Sequence, residues 1–378
     1  MIRTASCLLL LSAACAADLP KRADVQVLLE RAQAWSISQS QPDGKMVSTN
    51  MLAVGISAFA AGALIDEPHA LPADHASVAG AVRFLLQFRQ KDGGVYDPSE
   101  GLGCYGTSLT LQFVVRLPDA KAAGFDVAAM KNYILGLQNT TPGSLGQGGI
   151  GYGDKGKGFE DLSNTGYAIQ ALRASGMPAD APQLKAAMSF LQRCQDLSSV
   201  NQQAWVGKSP VQGGAVYGPQ EATRSWERGD DVAASRTIPT GSMTYQLLSS
   251  YLTLDLKADD PRVTAALGWV TANYGFDQNP GMGVGREQQG LFHAYALAST
   301  TFDLLHSTTL TLPDQRQVDW RADLWKAINS RSQEAKLPGG KTGAYWINDA
   351  QRWQEGTPIL CTAYAIRGMK AILRNLPP

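Results

Sequence analysis

The chain has no excess of charge of either sign. Its 378 residues hold 33 Lys plus Arg against 33 Asp plus Glu. A neutral balance offers no basic field to nucleic acid or to an anionic membrane surface, so neither is an expected partner. Histidine is scarce, with only His69, His75, His293 and His306. Beyond the N-terminal segment the cysteines are Cys104, Cys194 and Cys361. An odd count leaves at least one thiol unpaired, so this is no disulfide scaffold. The three read as small buried apolar residues. Apart from the N-terminal segment no stretch is long and apolar enough for a transmembrane helix, and that segment is itself too short.

The N-terminus places Arg3 before an apolar run centred on Leu8 to Leu11, with small residues at Ala14-Cys15-Ala16. This pattern predicts a signal peptide over residues 1–17 and an exported chain, periplasmic or extracellular. A second reading makes Cys15 a lipid anchor. Leu11-Ser12-Ala13-Ala14 fits that signal only approximately, because the leucine lies one place too far upstream.

What is abundant is glycine in turns, at a regular interval. Six times an apolar helical stretch runs into a glycine turn and then into a second helical stretch. The turns are Gln41-Pro42-Asp43-Gly44, Asp92-Gly93-Gly94-Val95-Tyr96, Gly148-Gly149-Ile150-Gly151-Tyr152, Gly213-Gly214-Ala215-Val216-Tyr217, Gly281-Met282-Gly283-Val284 and Gly339-Gly340-Lys341-Thr342-Gly343-Ala344-Tyr345. The first helix of each unit carries apolar residues at i, i+3, i+4 and i+7, as in Val25, Leu28, Leu29 and Ala32, and shows charge on the other face. The second helices, Met51–Leu64, Thr107–Leu117, Leu162–Leu172, Met243–Leu254, Leu291–Leu305 and Ile359–Leu373, carry few charges. A helix apolar nearly all round is buried on most sides. Asn50, Ser108, Asp161, Thr240 and Thr357 are expected caps. Six pairs of one surface helix and one buried helix predict two concentric rings, an all-α (α/α)6 toroid over residues 18–378 as a single domain. An open superhelix is the alternative. Residues 198–240 form an insertion, with Ala222 to Ser235 read as a polar loop over the cavity or a solvated one. Thr308 to Asp319 reads as a polar connector.

Three stretches resemble a known repeat: Phe84-Leu85 with Gln90-Lys91-Asp92-Gly93-Gly94-Val95-Tyr96, Leu191-Gln192 with Gly213-Gly214, and Glu160-Asp161-Leu162-Ser163-Asn164-Thr165-Gly166-Tyr167-Ala168. They look like the repeat of squalene cyclases and protein prenyltransferase β subunits, the terpenoid-cyclase family. The resemblance covers nearly all of the chain after residue 17 and implies the same toroid. The activities it implies are less well matched. Squalene-cyclase-type catalysis needs an Asp-x-Asp-Asp acid cluster, and Asp230-Asp231, Asp259-Asp260 and Glu160-Asp161 each lack the preceding spaced Asp. Prenyltransferases hold zinc through Asp-x-Cys and a later His. No Asp-x-Cys occurs, and His293 and Cys361 stand in reversed order. Gly103-Cys104 matches only the start of the thioester motif of complement-like proteins. Neither a metal nor another cofactor is expected.

In a closed ring, the starts of the buried helices and the loops before them line the open end of the cavity, where free N–H groups give partial positive charge. Asp161, His293 and Asp231 are the catalytic candidates there, and Tyr167, Tyr245, Tyr295 and Tyr364 the ligand-binding ones. Asp161 reads equally as a helix cap, the tyrosines as core packing, and His293 as a general base. Three functions stay open. The first is an exported toroid that binds an apolar ligand, a glycan or a protein in its central cavity without catalysis. The second is a terpene-cyclase-type enzyme that uses Asp161 or Asp231. The third is a polysaccharide lyase or hydrolase built on Tyr, His and Arg.

Overall fold

The structure is a computed structural model that describes residues 18–49, 51–153, 159–229 and 236–377. The expected leader with Cys15, the Asn50 cap and Asp230-Asp231 lie outside the described residues. In chain order the helices are α1 (Arg22–Ser38), α2 (Ala53–Ile65), α3 (Ala76–Leu86), α4 (Gly103–Val114), α5 (Val127–Gly136), α6 (Leu162–Ala174), α7 (Pro182–Cys194), α8 (Pro219–Arg228), α9 (Gly241–Thr253), α10 (Pro261–Ala272), α11 (Leu291–Leu305), α12 (Trp320–Ser330) and α13 (Pro358–Asn375). Two short hairpins complete the set: β1 (Thr309–Thr311) with β2 (Gln317–Asp319), and β3 (Gln333–Lys336) with β4 (Thr342–Tyr345).

The inner helices α2, α4, α6, α9, α11 and α13 touch in that order, and α13 returns to α2. The ring is closed, and the fold is the (α/α)6 toroid. The outer helices α3, α5, α7 and α10 pack on the inner helix that precedes them in the chain, and α1 packs on α13. The apolar stripe of the outer helices faces the inner ring: Val25, Leu29, Ala32, Leu184, Val263 and Leu324 are fully or almost fully buried. Each such Leu or Val contributes about 1.5–3 kcal/mol by leaving water. The inner helices carry many Ser and Thr. These bond back within their own helix, as Ser250 and Thr301 do to the carbonyls of Gln246 and Leu297 at 2.7 and 2.8 Å.

The repeated turn has two physical parts. Its first glycine has a left-handed backbone and lies against the next outer helix. Gly93, Gly148 and Gly213 have φ of 92°, 85° and 104°, and a Cβ on each would collide with the carbonyl of Ala129, Ala186 or Ala265. The second part is a hydroxyl on the inner helix that accepts a turn N–H: Thr107 from Val95, Thr165 from Ile150, Thr244 from Ala215 and Thr362 from Trp346, all at 2.9–3.1 Å.

Four expectations need correction. Thr240 and Thr357 stand at the N-cap positions of α9 and α13, but their side chains make no capping bond. Helix α4 begins at Gly103, so Ser108 lies inside it and caps nothing, while Tyr105 joins the inner ring. The polar insertion is not all loop: Pro219 opens α8, Gly229 ends it with φ of 68°, and Glu227 and Arg228 are helical. The connector 308–319 holds a hairpin, since Leu310 and Leu312 are buried while Thr309 and Thr311 are exposed, a period of two that favours a strand.

Candidate functional site

Tyr105, third in α4, donates its hydroxyl to Ser163, second in α6, at 2.8 Å. Helices α4 and α6 therefore run parallel with their starts level, and the turns before them lie at one rim. Asp161 sits there as the N-cap of α6. Its carboxylate accepts the Asn164 N–H at 2.8 Å and the Asn164 side-chain amide at 2.7 Å. The Tyr217 hydroxyl bonds it as well. Only 2% of Asp161 is exposed. Burial pushes its carboxyl up to about 7, against the bonds from Asn164 and Tyr217. It thus caps α6 with a carboxyl whose titration burial moves toward the neutral range.

The Tyr217 hydroxyl also hydrogen bonds to that of Tyr152. From there aromatic rings continue inward. Tyr152 meets Tyr105 at 5.9 Å, Tyr105 meets Tyr167 at 5.7 Å, Tyr167 stacks on His293 at 6.1 Å, His293 meets Tyr364 at 5.6 Å, and Tyr364 meets Phe59 at 4.9 Å. Five inner helices contribute these rings, which line the centre of the ring, with Tyr105 and His293 half-buried. Above them a pocket of about 120 Å³ is lined by Tyr152, Phe159, Glu160, Asp161, Tyr217, Gly218, Gln220, Glu221 and Arg224. Helix α8 supplies the last three of these side chains. Asn139 and Gln220 amides hold Glu160 at 2.9 and 2.6 Å. A wider groove of about 590 Å³, beside Arg173 and Asp255, lies at the opposite end of the inner helices.

A second buried acid caps another inner helix. Glu355 is 1% exposed and accepts the His293 N–H at 2.8 Å and the Asn348 amide at 2.6 Å. Burial raises its carboxyl to about 7, against bonds from the N–H groups at the start of α11. The loop that carries it holds Gln351, Trp353 and Gln354 at φ of 49°, 53° and 66°, a strained conformation for such residues. Arg352 of this loop interacts with Tyr152 across the rim.

The sequence candidates divide on placement. Asp161, Tyr167, His293 and Tyr364 come together. His293 stands half-buried among the rings, and desolvation holds its imidazole down to about 4, so it is neutral at pH 7 and a weak base. Tyr245 and Tyr295 stand apart. Tyr245 packs edge-on against Phe302 at 5.8 Å, and Tyr295 gives its hydroxyl to the Phe276 carbonyl behind the inner ring. Asp231 is outside the described residues. Cys361 points its thiol at the Glu355 carbonyl, 3.1 Å away, rather than at His293. Among the described residues no three His, Cys, Asp or Glu side chains stand together as metal ligands would. Tyr105, Tyr152, Tyr217 and Glu355 were missed. Tyr152 and Tyr217 end two of the glycine turns, and that shared position was the signal. Tyr105 lies before Thr107, the expected start of its helix, and nothing in the pattern marks Glu355.

No family model matches the chain, and no curated protein matches it in sequence. Among solved structures it is similar to a D-mannose isomerase, at 13% identity over 94% of this chain and 98% of that one, with a TM-score of 0.56. It also aligns with the type II terpene cyclase MstE from Scytonema, at 12% identity over 94% of this chain and 100% of that one, but with a TM-score of 0.35. The first likeness shows the toroid fold, and the second is too loose to add to it. The likeness is one of fold.

Proposed function

We propose that the chain is an exported toroid that binds a small polyhydroxylated ligand, such as the end of a glycan, at the mouth formed by Tyr152, Asp161 and Tyr217. One observation carries this reading: the buried Asp161 carboxyl is bonded to the Tyr217 hydroxyl, and that hydroxyl to Tyr152, on the wall of a small pocket. A carboxyl near its midpoint at neutral pH both donates and accepts hydrogen bonds, as a hydroxyl-rich ligand requires. Phe159 and the tyrosines offer apolar faces beside it, and Glu221 and Arg224 offer polar groups on α8. At about 120 Å³ the pocket suits one terminal unit, since pockets for drug-sized ligands run to roughly 300–1,000 Å³. The rings that meet across the inner helices leave less room for a long isoprenoid, which weighs against the cyclase reading. That a D-mannose isomerase shares the fold is compatible with a sugar-sized ligand and carries no more than that.

A second reading adds chemistry. A carboxyl raised to about 7 holds its proton where a general acid needs it, and Tyr217 beside it suits a glycan lyase or hydrolase. Isothermal titration with neutral and uronate-containing oligosaccharides separates the readings, with ultraviolet absorbance followed for unsaturated products. Binding that falls about tenfold in Tyr217→Phe, for the loss of one hydrogen bond to a charged group, supports the mouth. New absorbance adds turnover. Binding unchanged in both Tyr217→Phe and Asp161→Asn, or no binding by any glycan, sinks the proposal.

A further inference from the structure

The end of the ring opposite the mouth concentrates charge that the proposed site does not use. Arg116 follows α4, and Arg367 lies on α13. Both reach inward to α2 at Gly62, where a Cβ would stand 2.8 Å from Arg116 Nη2 and 3.3 Å from Arg367 Nη2. The absence of a side chain at Gly62 is what lets the two guanidinium groups converge. They share one carboxylate. Asp66 pairs with Arg116, and its Oδ2 lies 3.4 Å from Arg367 Nε, which makes no hydrogen bond. Arg367 lies over the Phe59 ring at 4.2 Å, and Arg116 Nε donates to the Gln112 carbonyl at 2.7 Å. The arginine side chains keep 32% and 18% of their accessible surface, so solvent reaches them.

The surrounding charges do not complete the balance. Arg374 pairs with Asp303 at 2.7 Å. The Lys370 amine donates to the carbonyls of Leu64, Asp66 and His69, and Glu67 faces it. Arg116 and Arg367 thus have only Asp66 between them, while the Lys370 amine, which burial holds down to about 7, faces Glu67. The field is felt locally: burial and the charge of Arg367 hold Arg116 down to about 9. The Tyr167 and Tyr364 hydroxyls, bonded to each other, face Arg367 from the aromatic side. Guanidinium forks of this kind match planar or tetrahedral oxyanions.

We propose that Arg116 and Arg367, converging on Gly62 beside Asp66, form an anion site inside the ring for a small oxyanion, a carboxylate or a phosphate. It stands apart from the glycan reading of the mouth. Inorganic phosphate and acetate are titrated separately into the full chain at ionic strength held constant with sodium chloride. Thermal midpoint and the arginine Nε–H resonances are followed. A saturable response to one of the two is expected, and which one responds assigns the ligand as phosphate or carboxylate. Arg116→Gln should weaken it about tenfold or more, the loss of a charge-assisted bond. Asp66→Asn, which removes the competing carboxylate, should tighten it. That second variant decides the matter even if the first fails to fold, because simple structural damage does not tighten binding. A response no different from that of chloride, a saturable one that Arg116→Gln leaves intact, or weaker binding in Asp66→Asn would overturn the assignment.

Discussion

Asp161 and Glu355 are two carboxyls at the starts of inner helices, lifted by burial from ordinary values of 3.8 and 4.5 to about 7. Between about 4 and about 7 the folded chain holds protons that the unfolded chain has released. The stability linked to these groups is therefore complete below their unfolded values and is lost as pH rises through about 7. His293 works the other way, since its imidazole is held from 6.5 down to about 4 and its share is lost as pH falls through that value. The opposition blunts the wild-type profile, so a difference between variants is the cleaner readout. Asp161→Asn imitates the protonated acid. Its stability relative to wild type should rise by on the order of a few kcal/mol between pH 4 and pH 8. Urea midpoints at pH 4.5, 6 and 8 measure this, and an offset that stays constant with pH would show that Asp161 titrates as an exposed acid does. Asp161 was legible because an Asp directly before an apolar helical run is a cap signal. Glu355 was not, because its burial comes from loops that fold around the start of a different helix.

The turn and the inner helix behave as one element, tied by a hydroxyl and closed by a glycine. The low charge of the inner helices and the period of the turns were legible, since both follow from burial on a ring. The start of α4 was not, because Gly103 and Gly106 read as turn residues. In the structure they are there for closeness: a Cβ on Gly106 would stand 2.7 Å from the Val95 carbonyl. Helix α8 was hidden for another reason, as Pro219 and Gly229 set its ends while its polar composition suggests a loop. The two parts of the turn differ in cost when removed. Thr244→Val leaves the Ala215 N–H without its acceptor and should cost about 1–3 kcal/mol. Gly213→Ala combines a left-handed backbone with a collision at the Ala265 carbonyl, so it should cost about 2–4 kcal/mol. Urea melts of both variants test the order. A larger loss in the threonine variant would mean that the hydroxyl, and not the close approach, sets the turn.

Closure makes the two ends of the chain one interface. Helix α1 packs on α13 and β4, Trp35 stacks on Tyr345 at 5.1 Å, and Arg22 donates to the Leu376 carbonyl at 2.8 Å. The seam between α13 and α2 is tied by Lys370, which is fully buried and gives its amine to carbonyls at the end of α2. A helix end buried this way needs such a donor. Lys370→Met keeps most of the stem and removes the donor, which should cost about 1–3 kcal/mol. The site of the loss distinguishes a ring from a row of repeats. In an open row each unit leans on its neighbours only, so damage in α13 would fray the C-terminal end and leave α2 protected. In the closed ring the same change loosens both flanks of the seam. Hydrogen exchange in Lys370→Met should therefore accelerate in 53–65 and in 358–375 together, with α6 and α9 little changed. Faster exchange in 358–375 alone would mean that the last helix is held by its outer neighbours and not by the ring.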